Sequence, residues 1–279
     1  QATGTAVQEA FERDARLIAD AIKIRYNPLV IDRAEGGRIY DIEGRAYLDF
    51  GASWSLAHLG YSNPHVRRAV AAQLEKTMFA GLVSAINQPA LDPAEKLVEL
   101  VPGDFPKKAW FGLSGSDASE AAQRLIRMAT GKRRLISFVG SWHGTTDATM
   151  ALSGHTAFVD VVGGAHVTKV PYPNPYRNPF GGDAGRVTDQ CLGFLEDYLF
   201  TTICPPGDVG AIFVEAVQSD GGDIVPPPDF LPKLRALCDR HGILLVVDDI
   251  KVGLGRTGTM FSYEHGGIVA DLVLLGKSL

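Results

Sequence analysis

Residues 244–258 read LLVVDDIKVGLGRTG, and this stretch decides the fold class. Its first half is apolar without alternation, which is typical of a strand buried on both faces of a parallel sheet. Two carboxylates, Asp248 and Asp249, follow the strand directly. In open α/β sheets, ligands bind in a crevice at the carboxyl ends of the strands. The stretch therefore predicts an α/β fold with a ligand site beside Asp248.

The end of the same stretch fits the glycine pattern G-x-G-x-x-G from Gly253 to Gly258, but its context argues against a dinucleotide site. In the dinucleotide motif, the first glycine closes a turn directly after the strand and the third opens a helix. Here the residues DDIKV separate the apolar strand from Gly253, and TMFSYEHGG after Gly258 is a poor helix former. We therefore reject a nicotinamide dehydrogenase.

Helical and strand-like segments alternate along the chain from about residue 61 onward. One helix begins at Pro64 after Asn63 as its cap, and Gly131 ends another, SDASEAAQRLIRMATG. Further strands and one more helix are predicted in RLISFVG, VGAIFVEAV, DFLPKLRALCDRHG and DLVLLG. This alternation is typical of a mostly parallel sheet with helices on both faces.

The first 60 residues have a different pattern. A helix is predicted from Val7 to Ile24, and short strands are predicted around GRIYDIEGRAYLDF. We therefore predict two parts of the chain. Residues 1–60 form the N-terminal α+β segment of a small domain, and residues 61–279 form a large domain.

The composition excludes several classes of partner. The chain has 279 residues, which is enough for a sizeable core, and a net charge of -5 argues against nucleic acid or anionic membrane as a partner. No apolar run is long enough to span a bilayer. The three cysteines are far apart in the sequence, which indicates reduced thiols and not a disulfide framework. The histidines show no ligand-like spacing, so no metal is expected. These features predict a cytoplasmic protein.

Four separate features point to one ligand. Asp248 and Lys277 each end a predicted strand, and Trp142 can stack on a flat ring. Gly115 and Ser116 begin a helix whose amides suit a phosphate, and Ser116 could also cap that helix. Taken singly, each has an ordinary explanation as an ion pair, a capped helix or a tryptophan at the edge of the core. Together they predict pyridoxal 5′-phosphate (PLP), with Lys277 as its Schiff-base lysine and Asp248 as the partner of its ring nitrogen.

The motifs SGSDASEAA, SWHG, DDIKVGLGRTG and FSYEHGGIVADLVLLGK, with LGYSNPHV nearer the start, resemble the class III (ω-type) aminotransferases, which are fold-type I PLP enzymes. The likeness runs from about residue 40 to residue 279. It implies a large PLP-binding domain, a small domain built from both termini, a homodimer or dimer of dimers with the active site at its interface, and a C-terminal part of the fold that this chain lacks. By motif position it implies that Gly115 and Ser116 hold the phosphate, Trp142 stacks on the ring and Gln218 lies near the phenolic oxygen.

Within the family, VQSDGGDIVPPPDFL and DDIKVGLGRTG most resemble the amino-acid racemases, which include α-amino-ε-caprolactam racemase and isoleucine 2-epimerase. The resemblance implies that Asp220 and Lys251 belong to the substrate site and that Trp54 lines its pocket. A racemase must return a proton to Cα from the face opposite Lys277, and Asp220, with Lys251 or a water, is the candidate donor. The expected substrate is an amino acid or an amino-acid amide or lactam.

Other interpretations of these residues remain open. Asp220 beside Gly221 fits an ordinary turn, and Lys251 fits a loop lysine paired with Asp249 or Asp220. Glu215 fits a carboxylate near the crevice that pairs with an arginine. The same scaffold also fits an aminotransferase that needs a keto acid, and a non-catalytic PLP-binding chain that acts through dimerisation.

Overall fold

A computed structural model of the protein describes residues 5–20, 25–79, 81–158 and 166–279. The chain divides into two compact units, one formed by Gln1–Ile86 with Ser278 and the other by Asn87–Lys277 with Leu279. The predicted division near residue 60 concerns the domains of the complete family fold, and it stays a prediction.

The first unit contains a small antiparallel sheet and short helices. Strands β1 (Ile31–Glu35), β2 (Arg38–Asp41) and β3 (Ala46–Leu48) pair in that order. Strands β2 and β3 lie in the stretch for which short strands were predicted, and β1 precedes it. The helices are α1 (Thr5–Leu17), α2 (Ala52–Ser55) and α3 (Pro64–Leu74). The helix predicted to reach Ile24 ends at Leu17, and residues 21–24 of that prediction lie outside the described residues. At the start of α3 the Asn63 side chain accepts from the backbone N–H groups of His65 and Val66, so the predicted cap is confirmed.

The second unit contains the larger sheet. Its strands are β4 (Arg134–Phe138), β5 (Val167–Val170), β6 (Val209–Val214), β7 (Leu244–Asp248) and β8 (Leu272–Leu274). They lie in the order β5-β4-β6-β7-β8, and every neighbouring pair is parallel. The helices of this unit are α4 (Gln88–Leu100), α5 (Gly115–Thr130), α6 (Asp147–Leu152), α7 (Val187–Gly193), α8 (Phe200–Thr202) and α9 (Phe230–His241). A π-helical segment, Phe194–Leu199, connects α7 to α8.

Successive residues of a strand point to opposite faces of the sheet. Each face of the parallel sheet therefore has its own set of apolar side chains, and helices cover both sets. One face packs against α9 and the segment from α7 to α8, and its core includes Ile212, Val214, Leu245, Val247, Phe230 and Leu234. The other face packs against α5 and α6, and its core includes Ala211, Phe213, Val246, Ala122, Ile126 and Leu152. The predicted parallel sheet with helices on both faces is therefore confirmed.

The glycine pattern at the end of β7 does not begin a helix. Residues 250–257 form turns, and the next regular segment is a short 3₁₀ turn at Ser262–Gly266. The Asp249 side chain accepts hydrogen bonds from the backbone N–H and the hydroxyl of Ser262, which fixes the return of this loop to the sheet. The segment thus has the structure of a packed loop and lacks the helix that a dinucleotide site requires.

In the described part of the chain, no helix has both the length and the hydropathy needed to cross a membrane. The same residues contain no group of three or more His, Cys, Asp or Glu side chains arranged to hold a metal ion.

Candidate active site

The ends of four adjacent parallel strands bring the candidate residues of the second unit to one edge of the sheet. Strand β4 leads to Trp142, β6 to Gln218, β7 to Asp248 and β8 to Lys277. The backbone N–H of Asp249 donates to the carbonyl of Leu274 over 2.9 Å, which ties the ends of β7 and β8 together. The structure therefore places Asp248 and Lys277 on neighbouring strand ends, as the sequence predicted, and their roles toward the cofactor stay predictions.

Asp248 is buried and paired with His143. The Oδ2 atom of Asp248 lies 2.8 Å from Nδ1 of His143, and its Oδ1 accepts from the backbone N–H of Ile250 over 3.1 Å. Burial opposes the charged imidazole, but the hydrogen bond and the charge of Asp248 raise the pKa of His143. The position of His143 directly after Trp142, at the end of a predicted strand, is the one signal in the sequence for this contact.

Lys277 follows β8 and is half-buried. Its backbone φ is 56°, in the left-handed region that side chains with a Cβ adopt rarely. Such a conformation costs energy and persists where the surrounding structure enforces it, often at functional sites. Burial lowers the pKa of Lys277, while the charges of Asp248 and Asp220 oppose that decrease. A lowered pKa increases the share of neutral amine, the form that attacks a carbonyl.

The N-terminus of α5 forms the candidate phosphate site. The cap of this helix is Ser114, whose side chain accepts from the backbone N–H of Asp117, so our expectation that Ser116 could serve as the cap is corrected. The Ser116 hydroxyl instead accepts from the backbone N–H of Thr145 over 3.0 Å. The N–H groups of the first helical turn, which includes Gly115 and Ser116, have no acceptor within the helix and point along its positive end.

Close packing explains why glycine stands at this helix start. A Cβ added to Gly115 would lie 2.9 Å from Cδ1 of Ile250, in the turn that follows Asp248. A Cβ on Gly144, whose φ is +134°, would lie 2.6 Å from the hydroxyl oxygen of Ser116. The two glycines thus let the start of α5 pack closely against the turn after Asp248 and against the loop after β4.

Trp142 and Gln218 occupy the loops above β4 and β6. The half-buried Trp142 ring lies 5.3 Å from the ring of His155 and 4.7 Å from that of Phe158. The buried Gln218 side chain donates to the carbonyl of Val139 over 3.0 Å, which joins the ends of β4 and β6. The contacts of Trp142 with the cofactor ring and of Gln218 with its phenolic oxygen stay predictions.

Asp220 and Lys251 face each other, with their charged atoms 3.7 Å apart and both side chains partly buried. Of the two partners considered for Lys251, the structure thus selects Asp220. Their charges also act on Lys277, where Asp220 raises the pKa and Lys251 lowers it. The two residues expected to act in substrate chemistry are therefore in the electrostatic surroundings of Lys277.

Trp54 belongs to the first unit, where it lies in the left-handed turn of α2 and stacks on Tyr26. Its role in the substrate pocket stays a prediction.

Glu215, expected near the crevice, is a buried carboxylate at the end of β6. Its Oε2 atom accepts from the backbone N–H of Trp142 over 3.3 Å, and its Oε1 accepts from the hydroxyl of Ser219 over 3.2 Å. Burial raises the pKa of Glu215 to about 7. The contacts that the structure describes thus tie Glu215 to the Trp142 and Ser219 loops, and the arginine partner that we expected is not among them.

The residues at this edge of the sheet fit PLP. The start of α5 suits the phosphate, the buried Asp248 suits a protonated ring nitrogen, and Lys277 offers an amine with a lowered pKa. The Nε2 atom of His143 is buried without a hydrogen-bond partner among the described residues. Buried polar atoms normally have a partner, so this nitrogen can still form a hydrogen bond beside Asp248.

The sequence model of the class III aminotransferases matches residues 21–279. The chain is 35% identical over 274 residues to the leucine/methionine racemase of Thermococcus litoralis, covering 98% of this chain and 61% of that protein. It is 36% identical over 276 residues to the 4-aminobutyrate aminotransferase of Escherichia coli, covering 98% of this chain and 62% of that protein.

A solved structure of the same family has the same fold. A taurine:2-oxoglutarate aminotransferase from Bifidobacterium kashiwanohense, in complex with PLP and glutamate, superposes with a TM-score of 0.89 at 27% identity, covering 97% of this chain and 61% of that one. The chain belongs to the class III aminotransferase family, whose members are PLP-dependent enzymes of fold-type I. It spans about three fifths of the length of these relatives.

Proposed function

We propose that the chain is part of a PLP-dependent racemase or epimerase that inverts Cα of an amino acid or of an amino-acid amide or lactam. The observation that carries this proposal is the pairing of Asp220 with Lys251 at 3.7 Å beside Lys277. It supplies a second acid–base group near the lysine, which inversion requires and simple amino transfer does not. The similarity to the leucine/methionine racemase, and to the isoleucine 2-epimerase of Lentilactobacillus buchneri at 33% identity, supports it.

Bound PLP would supply the electron sink that makes the Cα proton acidic. The chain supplies the binding groups. Gly115 and Ser116 at the start of α5 would hold the phosphate, Trp142 would pack on the ring and Gln218 would lie near its phenolic oxygen. Asp248 keeps the ring nitrogen protonated, because an adjacent buried anion stabilises the charged form, and His143 orients Asp248 through the 2.8 Å hydrogen bond.

The proton transfers follow from two groups on opposite faces of Cα. The neutral amine of Lys277 removes the Cα proton on one face, and Asp220, with a water as its proton source, returns a proton on the other. After one inversion Lys277 holds one proton more and the Asp220 side of the site one fewer, and exchange with bulk water restores both. The ammonium of Lys251, 3.7 Å from Asp220, stabilises the carboxylate that remains. The reverse reaction uses the same groups with their roles exchanged.

The second candidate is a class III aminotransferase that transfers an amino group to a keto acid. The 36% identity to 4-aminobutyrate aminotransferase favours it as much as the racemase likeness favours inversion. In that reaction Lys277 would transfer the Cα proton on one face, and no proton donor would be needed on the other face. Asp220 would then orient a polar group of the substrate.

Deuterium incorporation separates the two candidates. The holoenzyme is incubated in heavy water with an L-amino acid or an L-lactam and no keto acid, and the product is analysed by chiral chromatography and mass spectrometry. We expect D-product that carries deuterium at Cα, and we expect Asp220→Asn to abolish it while PLP binding persists. Turnover that appears only after a keto acid is added, with no D-product, would establish the aminotransferase.

A homodimer and a cytoplasmic location belong to the same proposal. In the second unit the large apolar residues directly before α5 are exposed, namely Trp110, Phe111 and Leu113. Exposed apolar residues next to a ligand site are typical of a surface that a partner covers. Light scattering of the purified protein tests the dimer.

The proposed cytoplasmic location is supported by the cysteines. All three thiols, Cys191, Cys204 and Cys238, are free and buried, which is typical of proteins in a reducing compartment.

A further inference from the structure

The hydroxyl of Ser219 lies between two carboxylates. Its oxygen is 3.2 Å from Oε1 of Glu215 and 3.3 Å from Oδ2 of Asp220, and the residue is buried. A serine hydroxyl carries a single hydrogen, so it donates to one of these two carboxylates at a time. The two carboxylates therefore compete for one donor.

The two competing carboxylates contact different parts of the site. Asp220 pairs with Lys251 on the side assigned to substrate chemistry. Glu215 accepts from the backbone of Trp142, below the expected position of the cofactor ring. The titratable groups whose charges interact with Glu215 are His143, Asp248, Tyr172 and Lys277. Ser219 is thus the link between the cofactor side and the substrate side of the site.

We propose that Ser219 is a positioning residue that couples the proton affinity of Asp220 to the protonation of Glu215. When Glu215 holds a proton, it donates to the Ser219 oxygen, and the hydroxyl of Ser219 donates to Asp220. When Glu215 is ionised, the hydroxyl turns to Glu215 and Asp220 loses a donor. No proton leaves the serine in either state, because only the direction of its O–H changes.

The consequence for Asp220 follows from hydrogen bonding. A donor to a carboxylate stabilises its charged form, so the loss of that donor raises the proton affinity of Asp220. Because burial raises the pKa of Glu215 to about 7, the change falls near neutral pH. The inference rests on the proposed function, since it assigns Asp220 a proton that moves to and from Cα.

The test compares Ser219→Ala and Ser219→Thr with the wild-type holoenzyme. Deuterium incorporation at Cα is measured in heavy water for each pure enantiomer across the pH range around 7. In Ser219→Ala, Asp220 lacks the serine donor at every pH and is the stronger base that the wild type reaches only above pH 7. We therefore expect exchange from the enantiomer that faces Asp220 to match the wild type above pH 7, to rise by up to about tenfold below it, and to lose an inflection near pH 7 that the wild type shows. Exchange from the enantiomer that faces Lys277 stays within about twofold of the wild type, and Ser219→Thr, which keeps a hydroxyl, restores both features.

Each other outcome has a definite meaning. If the wild type racemises but Ser219→Ala changes both enantiomers equally or neither, the coupling is refuted and the proposed function stands. If the wild type forms no D-product, the proposed function and this inference both fail. Should Ser219→Ala yield no folded holoenzyme, Glu215→Gln takes its place. Glu215→Gln must then remove the inflection near pH 7 for the Asp220-facing enantiomer only, and an inflection that persists refutes the coupling.

Discussion

The Nδ1 atom of His143 lies 2.8 Å from the Oδ2 atom of Asp248, and both side chains are buried at the carboxyl edge of the parallel sheet. The two residues are separated by 105 positions in the chain. Burial alone would keep the imidazole neutral, so the hydrogen bond with Asp248 and the charge of that carboxylate are what raise the pKa of His143. This pair places a negative charge where the ring nitrogen of the cofactor is expected.

Asp248→Asn removes that charge and keeps the size of the side chain. We expect the pKa of His143 to fall, because burial still opposes the imidazolium and its anionic partner is gone. Titration of the His143 imidazole by NMR in the protein without PLP measures the change. In the holoenzyme we expect the rate of the proposed reaction to fall about 100-fold or more.

A matched control is Asp189→Asn, which removes an exposed carboxylate that pairs with Lys233 on the surface. It should leave the His143 titration and the rate unchanged, because exposed ion pairs contribute little. An unchanged pKa of His143 in Asp248→Asn would contradict the assigned pairing.

Glu215 predicts a pH dependence of stability. Its pKa rises from 4.5 to about 7 on folding, so between these values the folded state binds more protons than the unfolded state. The contribution of Glu215 to the free energy of unfolding is therefore full below about pH 4.5 and is lost as the pH rises toward 7. The two pKa values correspond to at most about 3 kcal/mol.

Glu215→Gln removes this titration. We expect the melting temperature of the variant, relative to that of the wild type, to increase from pH 4.5 to pH 7, the range between the two values of the pKa. The control Glu95→Gln, at an exposed position of α4, should give a constant difference over the same range. A constant difference for Glu215→Gln as well would show that Glu215 does not titrate in this range.

Gly115→Ala tests the phosphate site. The added Cβ would lie 2.9 Å from Ile250, so either Ile250 or the start of α5 must move. Because the N–H of Ile250 donates to Asp248, a movement there also disturbs Asp248, the proposed partner of the ring nitrogen. We expect the dissociation constant for PLP, measured by absorbance titration, to increase about tenfold or more, which corresponds to about 1.4 kcal/mol.

The control for this change is Gly207→Ala, where a Cβ meets no atom within 4 Å and the backbone φ is ordinary. This variant should bind PLP with the affinity of the wild type. Equal affinity for Gly115→Ala would remove the start of α5 from the cofactor site.

The sequence predicted the sheet and the strand-end residues because both follow from local patterns. Apolar runs without alternation predict buried parallel strands, and residues directly after such strands must meet at one edge. Asp248 and Lys277 could therefore be assigned before any distance was known. The cap of α5 was misassigned because Ser114 and Ser116 are both able to cap, and only the backbone conformation shows which of them precedes the first turn.

Contacts made by turns could not be predicted in the same way. Glu215, Ser219 and Asp220 are close because the backbone of Gln218 pairs with that of Ile224 and folds the intervening residues into a tight turn. The His143–Asp248 contact likewise depends on the order of the strands, in which β6 lies between β4 and β7. Neither a turn conformation nor a strand order is a property of a short sequence pattern.

The attachment of PLP to Lys277 is the central claim, and borohydride reduction followed by peptide mass spectrometry tests it most directly. Reduction fixes PLP to the amine that holds it, and the labelled peptide then identifies the lysine. We predict that the label lies on Lys277 and that Lys277→Ala takes up no label, while Lys251→Ala is labelled like the wild type. A label on Lys251 or another lysine, with Lys277 unmodified, would contradict the assignment of the site.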